Sequence, residues 1–163
     1  MYGDRNTFAR KRKSSRGFTL LELLMSMAVG VILTAVSVPM VNSSLVNYRM
    51  NSSVTMVSSA INSARYQAIY QGYPFTLTFT KSGGTYQLAS QKPPATSFSN
   101  VGGAIPFEGG GMALNQDTVT LRFSPGGVVT SSAGDMSDIE LTYKGQTRKI
   151  AVSTYGKLTV TKL

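Results

Sequence analysis

The chain contains no cysteine and no histidine, and only 14% of its 163 residues are charged. Without cysteine it has neither a disulfide framework nor a thiolate metal site. Without histidine it lacks the most common general base and the usual imidazole metal ligand, and neither residue type can serve as a nucleophile. These absences exclude most enzyme mechanisms, and we expect no cofactor and no metal site.

Acidic residues are also scarce, with seven against sixteen basic residues and a formal net charge of +9. The excess is uneven, because residues 1–17 alone carry six basic residues and one acidic residue. This basic segment directly precedes a long apolar run, and positive charge beside a membrane span stays on the cytoplasmic side. More than half of the net charge therefore indicates membrane orientation rather than a ligand.

The apolar run covers residues 18–41, which read FTLLELLMSMAVGVILTAVSVPMV. As a helix these 24 residues extend about 36 Å, enough to cross a hydrocarbon core of about 30 Å. A secretory signal would have a shorter apolar region closed by a small-residue cleavage site, which this run lacks. We therefore predict a retained transmembrane helix, in which Pro39 is either a hinge or a tolerated proline near the end of the span.

Glu22 is the single charge within this run. An ionised carboxylate inside a membrane costs several kcal/mol unless a partner compensates it. If the chain is cut between Gly17 and Phe18, the new α-amino group, in the same chain or in a packed neighbour, supplies such a charge about one helical turn away. The alternative is a carboxylate that reaches the membrane interface from a plain anchor helix.

The residues around Glu22 resemble a known signal. Lys13-Ser14-Ser15-Arg16-Gly17 followed by Phe18-Thr19-Leu20-Leu21-Glu22-Leu23-Leu24 is similar to the type III signal of type IV pilins and type II secretion pseudopilins. The resemblance implies that a prepilin peptidase removes the leader, residues 1–17, by cutting after Gly17 at the cytoplasmic face, and then methylates the amine of Phe18. It also implies that Glu22 acts in filament assembly.

The helical period continues beyond Val41, where the composition becomes polar. Apolar residues recur there at spacings of three and four, the pattern of an amphipathic helix. They are Val54, Val57, Ile61, Ala64 and Ala68. Gly72 and Pro74 then stop the helix. One helix from Phe18 to about Gln71 is therefore expected, first in lipid and then packed on a globular head within residues 42–163.

From Pro74 onward apolar residues alternate with polar ones, which predicts strands. Phe75, Leu77 and Phe79 lie in a first strand, and Gly83-Gly84 turns the chain into a hairpin with residues 85–89. Further strands are predicted around Val119–Phe123, Ile139–Tyr143, Ile150–Val152 and Leu158–Val160. Gln91 to Gly111 is predicted to be a long loop. The fold class is α+β, with an antiparallel sheet packed on the long helix, and the resemblance implies a pilin fold.

Four segments are similar to the GspH/FimT group of minor pseudopilins. They are Tyr48-Arg49, Ala60-Ile61-Asn62-Ser63-Ala64-Arg65 with Ala68, Phe123-Ser124-Pro125-Gly126-Gly127, and Ile150-Ala151-Val152-Ser153-Thr154-Tyr155-Gly156-Lys157-Leu158. The resemblance implies a structural subunit of a type II secretion pseudopilus or a type IV pilus, held in the bacterial inner membrane with its head outside the cytoplasm. Its partners would be other pilins or pseudopilins, the prepilin peptidase and the inner-membrane assembly platform.

Some members of the FimT branch bind DNA during natural transformation through a Gly-Arg-x-Arg pattern. This chain has Gly156-Lys157-Leu158-Thr159 instead, so one basic position becomes lysine and the other is lost. Strand alternation predicts that Lys144, Lys149 and Lys157 point outward while Ile150, Val152, Leu158 and Val160 point inward. The three lysines are candidate DNA contacts, or they are solvated residues of strand faces partly offset by nearby carboxylates.

The remaining motifs indicate no enzyme class. Gly102-Gly103 and Gly109-Gly110-Gly111 are not followed by the GKS or GKT of a phosphate-binding loop, so loop flexibility explains them better. The soluble part contains five carboxylates, Glu108, Asp117, Asp135, Asp138 and Glu140. Their spacing does not indicate the acid–base pair of a glycosidase.

Overall fold

The computed structural model describes residues 17–107, 113–131 and 138–163. Most of the predicted leader, residues 1–16, lies outside them. Within the described residues there is one helix, α1 (Leu20–Gln71), and ten strands. These are β1 (Phe75–Thr80), β2 (Thr85–Ser90), β3 (Ser99–Asn100), β4 (Ile105–Pro106), β5 (Ala113–Leu114), β6 (Thr118–Phe123), β7 (Val129–Ser131), β8 (Ile139–Tyr143), β9 (Gln146–Val152) and β10 (Leu158–Lys162). The predicted long helix and antiparallel head are confirmed.

The chain divides into two compact units, with the boundary between Val41 and Asn42. In the first unit every described side chain is exposed, including Phe18 at 76%. By length and composition α1 could cross a membrane, with a mean hydropathy of 2.1 in its most apolar window. The helix continues without a break through Pro39. So much exposed apolar surface is unfavourable in water at roughly 25 cal/mol per Å², which favours a lipid or protein environment for this unit.

In the second unit α1 buries one stripe of side chains. The buried residues are Met50, Ser53, Val57, Ile61, Ala64 and Ala68. The predicted stripe is confirmed from Val57 to Ala68, whereas Val54 is half-buried and Met50 and Ser53 extend the buried face toward the start of the unit. The sequence pattern missed Ser53 because a serine carries no apolar signal.

The first sheet has the strand order β3-β2-β1-β6-β7, and β4 also pairs with β2. β1 and β2 form the predicted hairpin, whose last pair is Thr80 with Thr85. Along β1, Phe75, Leu77 and Phe79 are buried and the intervening threonines are half-buried, so the period of two was read correctly.

The second sheet has the order β10-β9-β8-β5. β8 and β9 are joined by Lys144-Gly145, with φ angles of 44° and 80°. Two positive φ values between the paired residues Tyr143 and Gln146 correspond to a two-residue hairpin turn of the primed type. The hydrophobic core of the unit combines the buried face of α1 with the inward side chains of both sheets.

One sequence prediction is corrected in the first sheet, and one in the second sheet holds only for orientation. The predicted loop from Gln91 to Gly111 contains β3 and β4, which pair with β2, while residues 108–111 lie outside the described residues. Two-residue strands leave no alternation in the sequence to detect. Val160, predicted to point inward, pairs with the buried Ile150 and lies on the inward face, but it is 47% exposed because no further described strand pairs with the outer side of β10.

Two of the segments that resemble the GspH/FimT group contain turns with the same pattern of hydrogen bonds. In the β6–β7 turn, Gly127 N–H donates to Ser124 C=O, Val128 N–H donates to Ser124 Oγ, and Ser124 N–H donates to Val128 C=O. In the β9–β10 turn, the same three bonds connect Ser153, Gly156 and Lys157. Both glycines have a φ of 78°, which favours glycine over any residue with a side chain.

Arg65 of α1 lies against both turns. Its Nε donates a hydrogen bond of 2.9 Å to Gly127 C=O. A Cβ placed on Gly156 would lie 2.7 Å from both Cδ and Nε of Arg65, and one on Gly127 would lie 3.4 Å from its Nη2. The backbones of both glycines therefore form the walls of a slot for the guanidinium, which connects the helix to a turn of each sheet.

Substituting Gly156 by Ala should destabilise the head by about 2 kcal/mol, because left-handed strain costs roughly 1–2 kcal/mol and Arg65 must leave its slot. Urea unfolding of the chain in detergent micelles, followed by tyrosine fluorescence, measures this. The matched control is Gly126→Ala, whose Cβ would meet only Ser124 Oγ, at 3.9 Å, and which should change stability by no more than about 0.5 kcal/mol. Equal stability of the two variants would contradict the slot.

Candidate assembly site at the start of the helix

The first turn of α1 is built by Thr19 and Glu22. Thr19 Oγ1 accepts a hydrogen bond from Glu22 N–H at 3.2 Å, and Thr19 C=O accepts one from Leu23 N–H at 3.1 Å. Thr19 is thus the N-cap, and Glu22 occupies the third helical position, the spacing of a capping box. Phe18 consequently precedes the helix, and the Glu22 carboxylate lies in the first turn, where the helix dipole favours negative charge.

Polar groups along the apolar part of α1 are satisfied within the helix. Ser26 Oγ donates to Glu22 C=O at 2.7 Å, Thr34 Oγ1 to Gly30 C=O at 2.8 Å and Ser37 Oγ to Leu33 C=O at 2.8 Å. Backbone bonding of this kind lets a hydroxyl enter lipid without an external partner. Glu22 carries the only ionisable side chain between Phe18 and Tyr48, and no hydrogen bond joins its carboxylate to the other described residues of α1.

Among residues 17–107, 113–131 and 138–163, no contact or backbone angle requires a glycine at position 17. A Cβ at this position would meet nothing within 4 Å, and its φ is not in the left-handed region. This contrasts with Gly127 and Gly156, where both the φ angle and the contact with Arg65 favour glycine.

The three candidate DNA contacts are not brought together. Lys144 lies in the β8–β9 turn and Lys157 in the β9–β10 turn, so their predicted placement within strands was wrong. The whole of β9 lies between these two lysines, and at ~3.3 Å per residue it separates them by about 20 Å. Lys149, near the middle of β9, forms an ion pair with Asp138. The hydrogen bond and charge of Asp138, with a smaller contribution from Glu140, raise the pKa of Lys149.

Each described carboxylate of the head lies near a basic or amide side chain. Asp117 lies 3.9 Å from Lys81 Nζ, and Glu140 accepts a hydrogen bond from Asn115 Nδ2. Glu108 and Asp135 lie outside the described residues. Residues 17–107, 113–131 and 138–163 contain no group of three or more acidic, histidine or cysteine side chains able to hold a metal ion.

Residues 12–38 match the family model of the prokaryotic N-terminal methylation motif. Residues 54–156 match the model of the type II transport protein GspH, which covers more than half of the chain. The chain belongs to the GspH family. Its methylation motif contains Gly17, Phe18 and Glu22, and the resemblance to pseudopilins is confirmed. No curated protein matches the chain significantly.

Among solved structures, the GspH-family chain is similar to the minor pseudopilin EpsH from the type 2 secretion system of Vibrio cholerae. The TM-score is 0.50 at 12% identity, over 66% of this chain and 92% of that chain. At this identity the similarity concerns the fold, and it confirms the predicted α+β pilin fold.

The segments that resembled the GspH/FimT group meet in the second unit of this GspH-family chain. Arg49 Nη1 donates a hydrogen bond of 2.9 Å to Tyr143 OH, which connects α1 to β8. Arg65 contacts the glycine turns described above. Sequence reasoning found these segments by resemblance, but it missed Thr19, whose spacing of three from Glu22 was a detectable capping signal.

Replacing Thr19 by Ala should fray the first turn of α1 at a cost of about 1 kcal/mol, because the Glu22 amide loses its acceptor. Residue-resolved amide exchange of the chain in lipid nanodiscs measures the protection of that amide. Thr19→Ser keeps the hydroxyl and should behave like the unmodified chain. The cap assignment is wrong if the Glu22 amide of the alanine variant retains full protection.

Proposed function

We propose that this protein is a minor pseudopilin, a structural subunit of a type II secretion pseudopilus that acts in protein secretion. The observation that carries the proposal is the continuity of α1. One uninterrupted helix starts within the methylation motif, presents an entirely exposed apolar segment, and continues into a head of the GspH family. The proposed role is non-enzymatic, and its partners are other pseudopilins, the prepilin peptidase and the assembly platform.

Before assembly the subunit resides in the bacterial inner membrane with a single span. The six basic residues of the leader support a cytoplasmic N-terminus, because positive segments beside a span are retained there. The head, residues 42–163, then lies outside the cytoplasm. The internally bonded hydroxyls of Ser26, Thr34 and Ser37 suit a helix that spends time in lipid.

The peptidase cuts after Gly17 and methylates the Phe18 amine. Gly17 supports this assignment because the chain itself gives no reason for glycine there, whereas a protease cleft that must admit extended backbone gives one. Phe18 and Thr19 precede the helix, so the bond to be cut lies in non-helical chain that a peptidase can bind.

The Glu22 carboxylate pairs in the filament with the Phe18 amine of a neighbouring subunit. The cost of an unpaired carboxylate in an apolar environment is several kcal/mol, and pairing removes much of it. A subunit out of register leaves both charges unpaired, so the pair selects one axial register. A carboxylate that reaches the membrane interface is the alternative, and it gives no register selection.

Substituting Gly17 by Leu should block maturation. When the chain is produced together with a prepilin peptidase, intact mass spectrometry should show the precursor without the loss of residues 1–17. Gly30→Leu is the matched control, since Gly30 also has nothing within 4 Å of its Cβ position and lies within α1, beyond the cut. Normal processing of the Gly17 variant would contradict the proposal that residues 1–17 are a leader cut after Gly17.

Substituting Glu22 by Gln should leave cleavage intact and reduce incorporation into filaments by about tenfold or more, since ~1.4 kcal/mol corresponds to a factor of ten. The measurement is the amount of the subunit in sheared pseudopili relative to the processed pool in the membrane. Ser26→Ala, one turn further along, should assemble normally. Equal incorporation of both variants would support the interfacial carboxylate instead.

Two other functions are compatible with the same fold. The chain could be a subunit of a type IV pilus, or it could bind DNA during natural transformation. The DNA alternative rests on the basic residues of the last two strands, among which the three candidate lysines are spread along β9 and Lys149 is paired with Asp138. The match to the type II transport protein family favours secretion.

A further inference from the structure

The described edges of the two sheets differ in length. β3 and β5 contain two residues each and β7 contains three, whereas β10 contains five residues. Short edge strands are a common protection against unwanted strand pairing, as are prolines and bulges. β10 has no proline and pairs residue for residue with β9 from Leu158 to Lys162. Among the described edges, it is therefore the one built to accept another strand.

The hydrogen-bond register shows which backbone groups of β10 are available. Lys157 C=O accepts from Ser153 N–H at 2.9 Å, and Leu163 N–H donates to Thr147 C=O at 3.2 Å. In an antiparallel pair the bonded positions alternate, so Thr159 and Thr161 bond to β9. The N–H and C=O groups of the three intervening residues point away from β9. These are Leu158, Val160 and Lys162.

Val160 supplies the apolar part of the same edge. It pairs with Ile150, which is fully buried, so both side chains lie on the inward face of the second sheet. Val160 is nevertheless 47% exposed because no strand lies beyond β10. A strand added at this edge would cover Val160 and complete the inward face.

Basic residues are concentrated in the last two strands and their turns. The last twenty residues contain five basic residues and no acidic residue: Lys144, Arg148, Lys149, Lys157 and Lys162. Residues 18–143 contain five basic and six acidic residues, so the whole positive excess of the mature chain lies in the last two strands and their turns. Lys162 pairs with Arg148 on the inward face, and Arg148 Nη1 is buried without a hydrogen-bond partner among the described residues.

We infer that β10 is a docking edge for an extended, acidic segment of a partner protein, which adds a strand to the second sheet. The outward backbone groups would provide the hydrogen bonds, Val160 an apolar contact, and Lys162 with Arg148 the attraction for a carboxylate. A second copy of this chain is disfavoured, because two such cationic edges repel each other. The inference depends on the head alone and is independent of cleavage, of Glu22 and of filament formation.

The first experiment uses the full chain in detergent micelles and a synthetic peptide, acetyl-Thr-Asp-Val-Glu-Val-Asp-Thr-amide. Residue-resolved amide exchange should show that Leu158, Val160 and Lys162 gain about tenfold or more protection when the peptide is added. The Thr159 and Thr161 amides, already bonded to β9, should change little. This alternating pattern identifies strand addition, and peptide binding that protects none of the three outward amides overturns the proposal.

The second experiment compares Val160→Pro with Val160→Thr. Proline at this position removes only an outward N–H and is compatible with an edge strand, so the β9 ladder is retained. Peptide affinity should fall about tenfold or more in the proline variant and stay within about threefold in the threonine variant. Unfolding curves of both variants check that the head is intact, and the exchange pattern of the unmodified chain decides the question if the proline variant unfolds.

A charge exchange tests the chemistry of the partner. The double variant Lys157→Glu/Lys162→Glu should lose the acidic peptide and gain affinity for the same sequence with lysines in place of its acidic residues. Binding of a 24-base-pair DNA duplex at low salt is measured in parallel, to test whether the cationic residues bind nucleic acid instead. Duplex binding without peptide binding would assign the cationic surface to nucleic acid, and self-association lost in Val160→Pro would assign the edge to a second copy. Either result overturns the proposal.

Discussion

A single helix has to be stable in two different environments, and this constraint determines how α1 is built. Its first part carries apolar side chains on all faces, bonds its hydroxyls to its own backbone and contains one charge. Its second part buries only one stripe and exposes polar residues. The chemistry therefore changes along a backbone that remains helical throughout. Glu22 is the exception to the first pattern, because it is the one charged side chain in that part of α1.

The second part of the helix is connected to the head by two arginines rather than by apolar contacts alone. Arg49 reaches the hydroxyl of Tyr143, and Arg65 occupies the slot formed by Gly127 and Gly156. These are the only charged residues of α1 beyond Glu22. Both arginines therefore contribute hydrogen bonds between this part of the helix and the strands and turns of the second unit.

The sequence predicted the long elements because their periods extend over many residues. The helix from Leu20 to Gln71 and the alternation of Phe75, Leu77 and Phe79 could be read directly. The two-residue strands could not, since pairing of Ser99 and Asn100 with β2 leaves no pattern. At the start of α1 the motif indicated Gly17, Phe18 and Glu22, but only the structure revealed that Thr19 caps the helix and that Gly17 is unconstrained by the fold.

The basic residues are concentrated in two segments of the sequence, residues 1–17 and residues 144–163. Residues 1–17 carry six basic residues, and within residues 18–163 the positive excess lies entirely in residues 144–163. The basic residues elsewhere include Arg49, Arg65 and Lys81, which already contact Tyr143, Gly127 and Asp117. The chain thus has two cationic segments, and the second of them borders β10, an edge strand among the described residues. A cationic edge attracts acidic partners over about a Debye length and repels further copies of itself.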